Sequence, residues 1–383
     1  MIKLLTIIGA RPQIIKASAM SRAIRNNFSG QIFEVLVHTG QHYDASMSQV
    51  FFDELEMPKE NYNLQVGSGS HAVQTSQMMV KIEEILIEEK PNAVLLYGDT
   101  NSTLAAAVTA AKLHIPIIHV EGGVRSFNKK FPEEVNRLLC DHLSTLIFVP
   151  THSGINNLLK EGFNTQNTPP YTSDNAGVFF CGDIMYDNSL YFGSQVEKRK
   201  EYLVDLGVQD REFALVTLHR PSNVDDPEVL ANLLKTFLRI SKNSKLPFVF
   251  PMHPRTKKIF EEQLDKLLIE SISESEIYLV QPASFIEMTL LENRAQIIFT
   301  DSGGVQKEAY YFNKPCVILL EETPWPELIE SGTAILTGSS TEKIENAFSN
   351  LMSRKNELTF PTIFGDGQAA SFICKKIIAS FSS

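Results

Sequence analysis

This chain has neither the spacing of a metal site nor that of a disulfide framework. Its four cysteines, Cys140, Cys181, Cys316 and Cys374, are scattered over 383 residues. They read as small buried side chains in a reducing compartment, so a cytoplasmic protein is expected. His38 and His42 are four apart, but Gly40 between them argues against a helical metal-binding face. No metal is expected. No run of 18 apolar residues exists, and residues 3–8 lead straight into Gly9 without a signal-peptide pattern, so no membrane association is expected. Positive charge is also short. A net charge of −10 argues against nucleic acid and anionic membranes as partners. There is no Gly-x-Ser-x-Gly and no Walker lysine motif, and Gly67-Ser68-Gly69 lacks the full dinucleotide fingerprint. Nothing asks for a tightly held nicotinamide, and no cofactor is expected.

What the chain does have is alternation. Hydrophobic residues make up 43%, enough for packed cores. Short apolar runs at 4–8, 34–38, 93–97, 117–120 and 146–149 read as strands, with helical patterns at 14–26, 45–55, 74–89 and 103–113 between them. The second half repeats this order. Strands are expected at 214–218, 248–250, 277–279, 297–300 and 316–319, and helices at 229–241, 257–268, 284–292, 304–312 and 341–353. The spacing predicts an α/β chain of two Rossmann-like, doubly wound domains facing a cleft. We place the N-terminal domain at 1–175 and the C-terminal domain at 176–365. The polar loop 164–176 lies near the junction, and a final helix at 366–383 is expected to pack back on the N-terminal domain.

In such sheets ligands bind at the carboxyl ends of strands. Nearly every polar cluster lies just after an expected strand. The clearest is Asp301-Ser302-Gly303-Gly304-Val305-Gln306-Lys307-Glu308. A small-residue turn opening a helix leaves N–H groups free, and with the helix dipole it suits a phosphate or diphosphate. Glu308, one turn on, is placed to accept hydrogen bonds from ribose hydroxyls. The competing reading is an ordinary capped turn.

In Gly9-Ala10-Arg11-Pro12-Gln13-Ile14-Ile15-Lys16, Arg11 and Lys16 suit a phosphate or a sugar substituent, or else are solvated surface cations. Asp99 and Glu121 end neighbouring strands, and crowded carboxylates drive one pKa up, which suits acid/base work. Asp99 also fits a helix N-cap, and Glu133 and Glu134 fit first-turn helix charges. His219 and Arg220 follow another strand. A histidine there suits a general acid, an electrostatic stabiliser or a hydroxyl partner. His253, between prolines, reads as structural.

Taken in order, these segments resemble the non-hydrolysing UDP-N-acetylglucosamine 2-epimerases. The matching residues are Gly9-Ala10-Arg11-Pro12 with Lys16, Gln41-His42-Tyr43, Gly98-Asp99-Thr100-Asn101 and His119-Val120-Glu121-Gly122-Gly123-Val124-Arg125-Ser126-Phe127. They continue with Pro132-Glu133-Glu134-Val135-Asn136-Arg137, Thr217-Leu218-His219-Arg220, Thr300 to Gln306 with Glu308, and Pro326-Glu327. The resemblance implies a glycosyltransferase-B-like fold and a homodimer. It implies interconversion of UDP-GlcNAc and UDP-ManNAc, as for surface polysaccharide precursors. In that mechanism UDP leaves across C1–C2, giving a 2-acetamidoglucal, and then adds back as a proton arrives on the other face of C2. The catalytic set implied is Asp99, Glu121, Glu133 and His219. The UDP-binding set is Arg11, Lys16, Arg220, Ser302, Gly303, Gly304 and Glu308, with Phe285 and Met288 in the segment whose backbone lines the uracil pocket.

The chain departs from the family pattern at several positions. Ser222 stands where members read Glu, Lys307 where they read Glu, and Trp325 where an arginine helps hold the nucleotide. Lys307 is expected as an exposed helix charge. These departures keep other UDP-sugars open, such as UDP-2,3-diacetamido-2,3-dideoxyglucuronate. Two further functions compete. One is a glycosyltransferase of the same fold. The other is a non-catalytic UDP-sugar binder, which would need the Ser302–Gly304 turn but not the carboxylates.

Overall fold

A computed structural model describes residues 1–41, 52–195 and 200–382. His42, Tyr43 and most of the expected 45–55 helix lie outside them. The described chain divides into two compact units, 1–188 with 362–383, and 189–361.

The first unit is built on strands β1 (Ile2–Ile8), β2 (Ile32–His38), β3 (Tyr62–Asn63), β4 (Ala93–Tyr97), β5 (Ile117–Val120), β6 (Leu146–Val149) and β7 (Gly177–Phe180). Every described pairing among them is parallel, in the order β3-β2-β1-β4-β5-β6-β7. The central strands are mostly apolar and buried along their length, as in a parallel sheet covered on both faces, so no polar face alternates with the buried one. Leu5, Ile7, Val35, Val37, Val94 and Leu96 pack with Met78, Ile82, Leu86 and Ala105–Ala107 of the helices. The expected boundary at 175 falls short. β7 pairs with β6, and the loop 164–176 leads into this sheet rather than out of the unit. The Ile184–Ser194 helix carries the boundary, with Asn188 accepting from Arg22 Nη2 at 2.7 Å in the first unit. The last helix, Ala369–Phe381, belongs to the first unit, and Asp187 accepts from its Ala369 and Ala370 N–H groups at 3.0 and 2.8 Å.

The second unit repeats the plan with β8 (Ala214–Thr217), β9 (Phe248–Pro251), β10 (Ile277–Val280), β11 (Ile297–Thr300), β12 (Cys316–Ile318) and β13 (Ala334–Leu336). Its parallel order is β10-β9-β8-β11-β12-β13. Phe237, Phe248 and Phe299 form its aromatic centre, with ring centroids 5.4 to 5.7 Å apart. The helix expected at 257–268 is two helices, Pro254–Gln263 and Lys266–Ser273. Asp265 stops the first pattern by capping the second, accepting from Leu267 N at 2.8 Å.

Both sheets share one consequence of this order. The chain winds outward from β1 to β3 and returns to β4, and it winds outward from β8 to β10 and returns to β11. Between β1 and β4, and between β8 and β11, the crossovers diverge. A crevice at the strands' carboxyl ends results, which is where open α/β sheets place ligands.

Candidate active site

At the first crevice, β1 runs into Gly9, whose missing side chain is a steric requirement. A Cβ there would lie 2.2 Å from both Ser102 Oγ and Thr39 Oγ1. Gln13 locks the turn. Its Oε1 accepts from Gly9 N at 2.9 Å and Ala10 N at 3.1 Å, and its Nε2 donates to Tyr97 O at 3.0 Å. The ends of β1 and β4 are thereby tied together. Arg11 opens the Arg11–Ala23 helix, with its side chain exposed. Lys16, further along, is buried and forms an ion pair with Glu121. It is therefore not a solvated surface cation.

Glu121 follows β5 directly with φ +74°, in the left-handed region that a side chain disfavours. Asp99 follows β4 and pairs with Arg137 of the Pro132–Leu143 helix. The helix cap is Thr100, which accepts from Thr103 N, so the cap reading of Asp99 fails. Burial raises the Asp99 pKa. Arg137 and Lys16 oppose that rise, while Glu121 and Glu133 add to it. The structure separates the two neighbouring glutamates. Glu133 is exposed in the helix's first turn. Glu134 is buried and accepts from Ser126 N at 2.8 Å and Phe127 N at 2.9 Å, which fixes that loop.

Beneath these groups lies a buried network that the motifs did not reveal. His119 on β5 places Nδ1 2.7 Å from Asp141 and Nε2 2.7 Å from the Gly98 carbonyl. Asp141 also accepts from Gly123 N at 3.0 Å and pairs with Arg125 at 2.7 Å. Arg125 in turn pairs with Glu161 at 2.7 Å.

At the second crevice, Asp301 is fully buried and organises the loop after β8. It accepts from His219 N at 3.1 Å, Arg220 N at 3.0 Å and Asn223 Nδ2 at 3.1 Å, and its Oδ1 lies 3.1 Å from His219 Nδ1. Burial would raise its pKa, but these donors reverse the effect and hold it low. His219 is thus oriented through one nitrogen, with its side chain 40% exposed. His253 caps the Pro254–Gln263 helix, accepting from Arg255 N at 3.2 Å.

Ser302 caps the Gly303–Tyr311 helix and accepts from Val305 N. A Cβ on Gly303 or Gly304 would meet nothing closer than 3.8 Å, so neither α-carbon is crowded by its neighbours. Glu308 sits one turn on, beside buried Glu292, whose carboxyl is raised well above its usual range by burial and by Glu308. Phe285 is core, its ring edge-on to Phe192 with centroids 5.5 Å apart, while Met288 is half-buried. Lys307 corrects the sequence expectation. It is 5% exposed, with Nζ 4.2 Å from the centroid of Trp325, whose Nε1 donates to Gly303 O at 3.0 Å. Burial comes from Trp325, distant in sequence, so helix position alone did not reveal it.

Among the described residues, no group of three or more His, Cys, Asp or Glu could hold a metal, and no helix is long and apolar enough to cross a membrane.

Comparison with known proteins places this geometry. The family described as UDP-N-acetylglucosamine 2-epimerase matches residues 25–378. A Methanococcus maripaludis protein named UDP-N-acetylglucosamine 2-epimerase homolog is 45% identical, over 96% of this chain and 97% of its own. A Pseudomonas aeruginosa UDP-2,3-diacetamido-2,3-dideoxy-D-glucuronate 2-epimerase is 42% identical, over 97% and 98%. The structure of Methanocaldococcus jannaschii UDP-GlcNAc 2-epimerase in complex with UDP-GlcNAc and UDP superposes with TM-score 0.80 at 37% identity, covering 98% and 99%.

Proposed function

The chain belongs to the UDP-N-acetylglucosamine 2-epimerase family, and on that premise we propose that it interconverts UDP-GlcNAc and UDP-ManNAc in the cytoplasm. The carrying observation is the pairing of Lys16 with Glu121 and Arg137 with Asp99 at the first crevice. Two carboxylates in different surroundings, each beside its own cation, suit removal of a proton from one face of C2 and delivery to the other. Glu133 adds negative charge that keeps Asp99 basic. In the second unit, the Ser302, Gly303 and Gly304 N–H groups are offered to the departing diphosphate, where charge grows as the C1–O bond breaks. His219 and Arg220 add donors there. Glu308 takes the ribose, and the backbone around Phe285 and Met288 takes the uracil.

Turnover in deuterated water tests this reading. Proton NMR should show deuterium at C2 of both sugars without added NAD. Product that keeps its C2 proton, or activity only with NAD, overturns it.

The 42% identity to the P. aeruginosa enzyme makes its sugar the second substrate to test. Comparing kcat/KM for UDP-GlcNAc and for the diacetamido-glucuronate decides between them.

The active form we propose is a homodimer. Val73, Val80 and Ile87 are exposed on the His71–Glu89 helix, and Phe131, Val135 and Leu139 on and before the Pro132–Leu143 helix, giving apolar surface for a second copy. Light scattering should give twice the chain mass, and Val80→Glu with Leu139→Glu should halve it.

A further inference from the structure

His119 is not among the groups assigned to substrate, yet it joins the two turns that carry Asp99 and Glu121. Its hydrogen bonds determine its charge by counting. The Gly98 carbonyl, 2.7 Å from Nε2, can only accept, so Nε2 carries a proton. Asp141 faces Nδ1 through Oδ1 at 2.7 Å, while its Oδ2 accepts from Gly123 N at 3.0 Å and pairs at 2.7 Å with the buried Arg125 guanidinium, which holds the carboxyl ionised, so Oδ1 too is an acceptor. Nδ1 must therefore carry a proton as well. We infer that His119 is a permanent imidazolium that acts as a positioning residue, its two N–H groups setting the Gly98-Asp99 and Glu121-Gly122-Gly123 turns against each other.

Charge balance agrees. Glu161, Arg125, Asp141 and His119 alternate in sign along one chain, buried at all but the half-buried Glu161, and the sum over these four is zero only with the imidazolium. Burial pulls the His119 pKa down, but Asp141, the Gly98 carbonyl and Glu121 more than reverse it. The geometry also explains two backbone positions. Gly98 has φ +61°, and a Cβ there would stand 3.2 Å from Glu121 Oε2 and 3.3 Å from Lys16 Nζ. The turn held by the imidazolium is thus pressed against the Lys16–Glu121 pair. A Cβ on Gly122 would lie 2.7 Å from Asp141, so the second turn closes on the same carboxylate.

The protonation state stands independently of the epimerase reading, while its bearing on turnover rests on it. In the full chain labelled with 15N-histidine, long-range 1H–15N spectra should show one histidine with both nitrogens protonated from pH 6 to pH 9. That signal should vanish in His119→Gln. His119→Gln should lower kcat by about 10²-fold, the scale of a misplaced catalytic group, with KM and UDP affinity changed less than about threefold. A His119 spectrum with one bare nitrogen at pH 8, or a titration below it, overturns the inference. So does wild-type kcat in a folded His119→Gln protein. Failure of the wild-type chain to turn over a UDP-sugar would instead overturn the functional reading and leave the spectrum to decide the imidazolium.

Discussion

The two crevices share a topology and differ in what holds them. Each has a fully buried aspartate behind its loops, Asp141 in the first unit and Asp301 in the second. Asp141 is held mainly by charges, from Arg125 and His119, with one backbone N–H. Asp301 has no buried cation beside it: it is held by the N–H groups of His219 and Arg220, the amide of Asn223 and the part-exposed His219 ring. The groups in front differ in the same sense. The first crevice presents paired carboxylates and cations, and the second an open helix N-terminus. Proton transfer at carbon needs charged groups with set pKa values, whereas a diphosphate needs fixed dipoles. On the proposed reading one fold serves both, because loops rather than strands carry the chemistry.

The sharpest way to break this comparison is to remove the charge behind each crevice. Asp141→Asn leaves Arg125 and His119 short of a buried counter-charge. It should cost about 3–5 kcal/mol, the usual cost of breaking a buried pair, read from urea unfolding. A cost near that of a neutral hydrogen bond would mean that the first crevice is no more charge-built than the second.

The next test asks whether the fronts divide the labour. Asp99→Asn and Glu121→Gln should each lower kcat by roughly 10²-fold or more, with UDP affinity by calorimetry nearly unchanged. Gly303→Val should do the reverse. Its Cβ meets only contacts of 3.9 Å, so the fold and the circular dichroism should survive. Losing one charge-assisted N–H bond to phosphate should weaken UDP on the order of tenfold. Unchanged UDP affinity in Gly303→Val would remove the nucleotide from this turn.

How much of this was legible in the sequence follows from range. β4 and β6 are unbroken apolar runs and β5 and β11 carry one polar residue each, so their ends, and with them Asp99, Glu121 and Asp301, could be placed from local pattern. β7 was not, because Gly177–Phe180 emerges from a polar loop and only its pairing with β6 makes it a strand. The partners of the site residues were illegible for the same reason. Arg137 reaches Asp99, and Asp141 reaches His119 and Gly123, only once a helix lies over the sheet. Lys307 looked exposed because nothing local announces Trp325 beside it.

The smaller of the two stability effects sharpens the contrast most finely. Asp301→Asn keeps one acceptor oxygen and leaves no buried cation unpaired, but its NH2 faces donors, so it should cost about 1–3 kcal/mol at pH 7, less than Asp141→Asn. That cost should depend on pH in a defined direction. The folded pKa of Asp301 is depressed, because its donors outweigh burial. Its charge-dependent stabilisation is therefore complete above the unfolded value, about 3.9, and is lost as pH falls through the folded value. The Tm gap between wild type and Asp301→Asn should be widest near neutrality and should shrink in acid below about pH 4. A gap that stays constant to pH 3 would assign the cost to altered geometry at His219 and Arg220 rather than to the carboxylate's charge. The second crevice would then owe its shape to neutral hydrogen bonding alone.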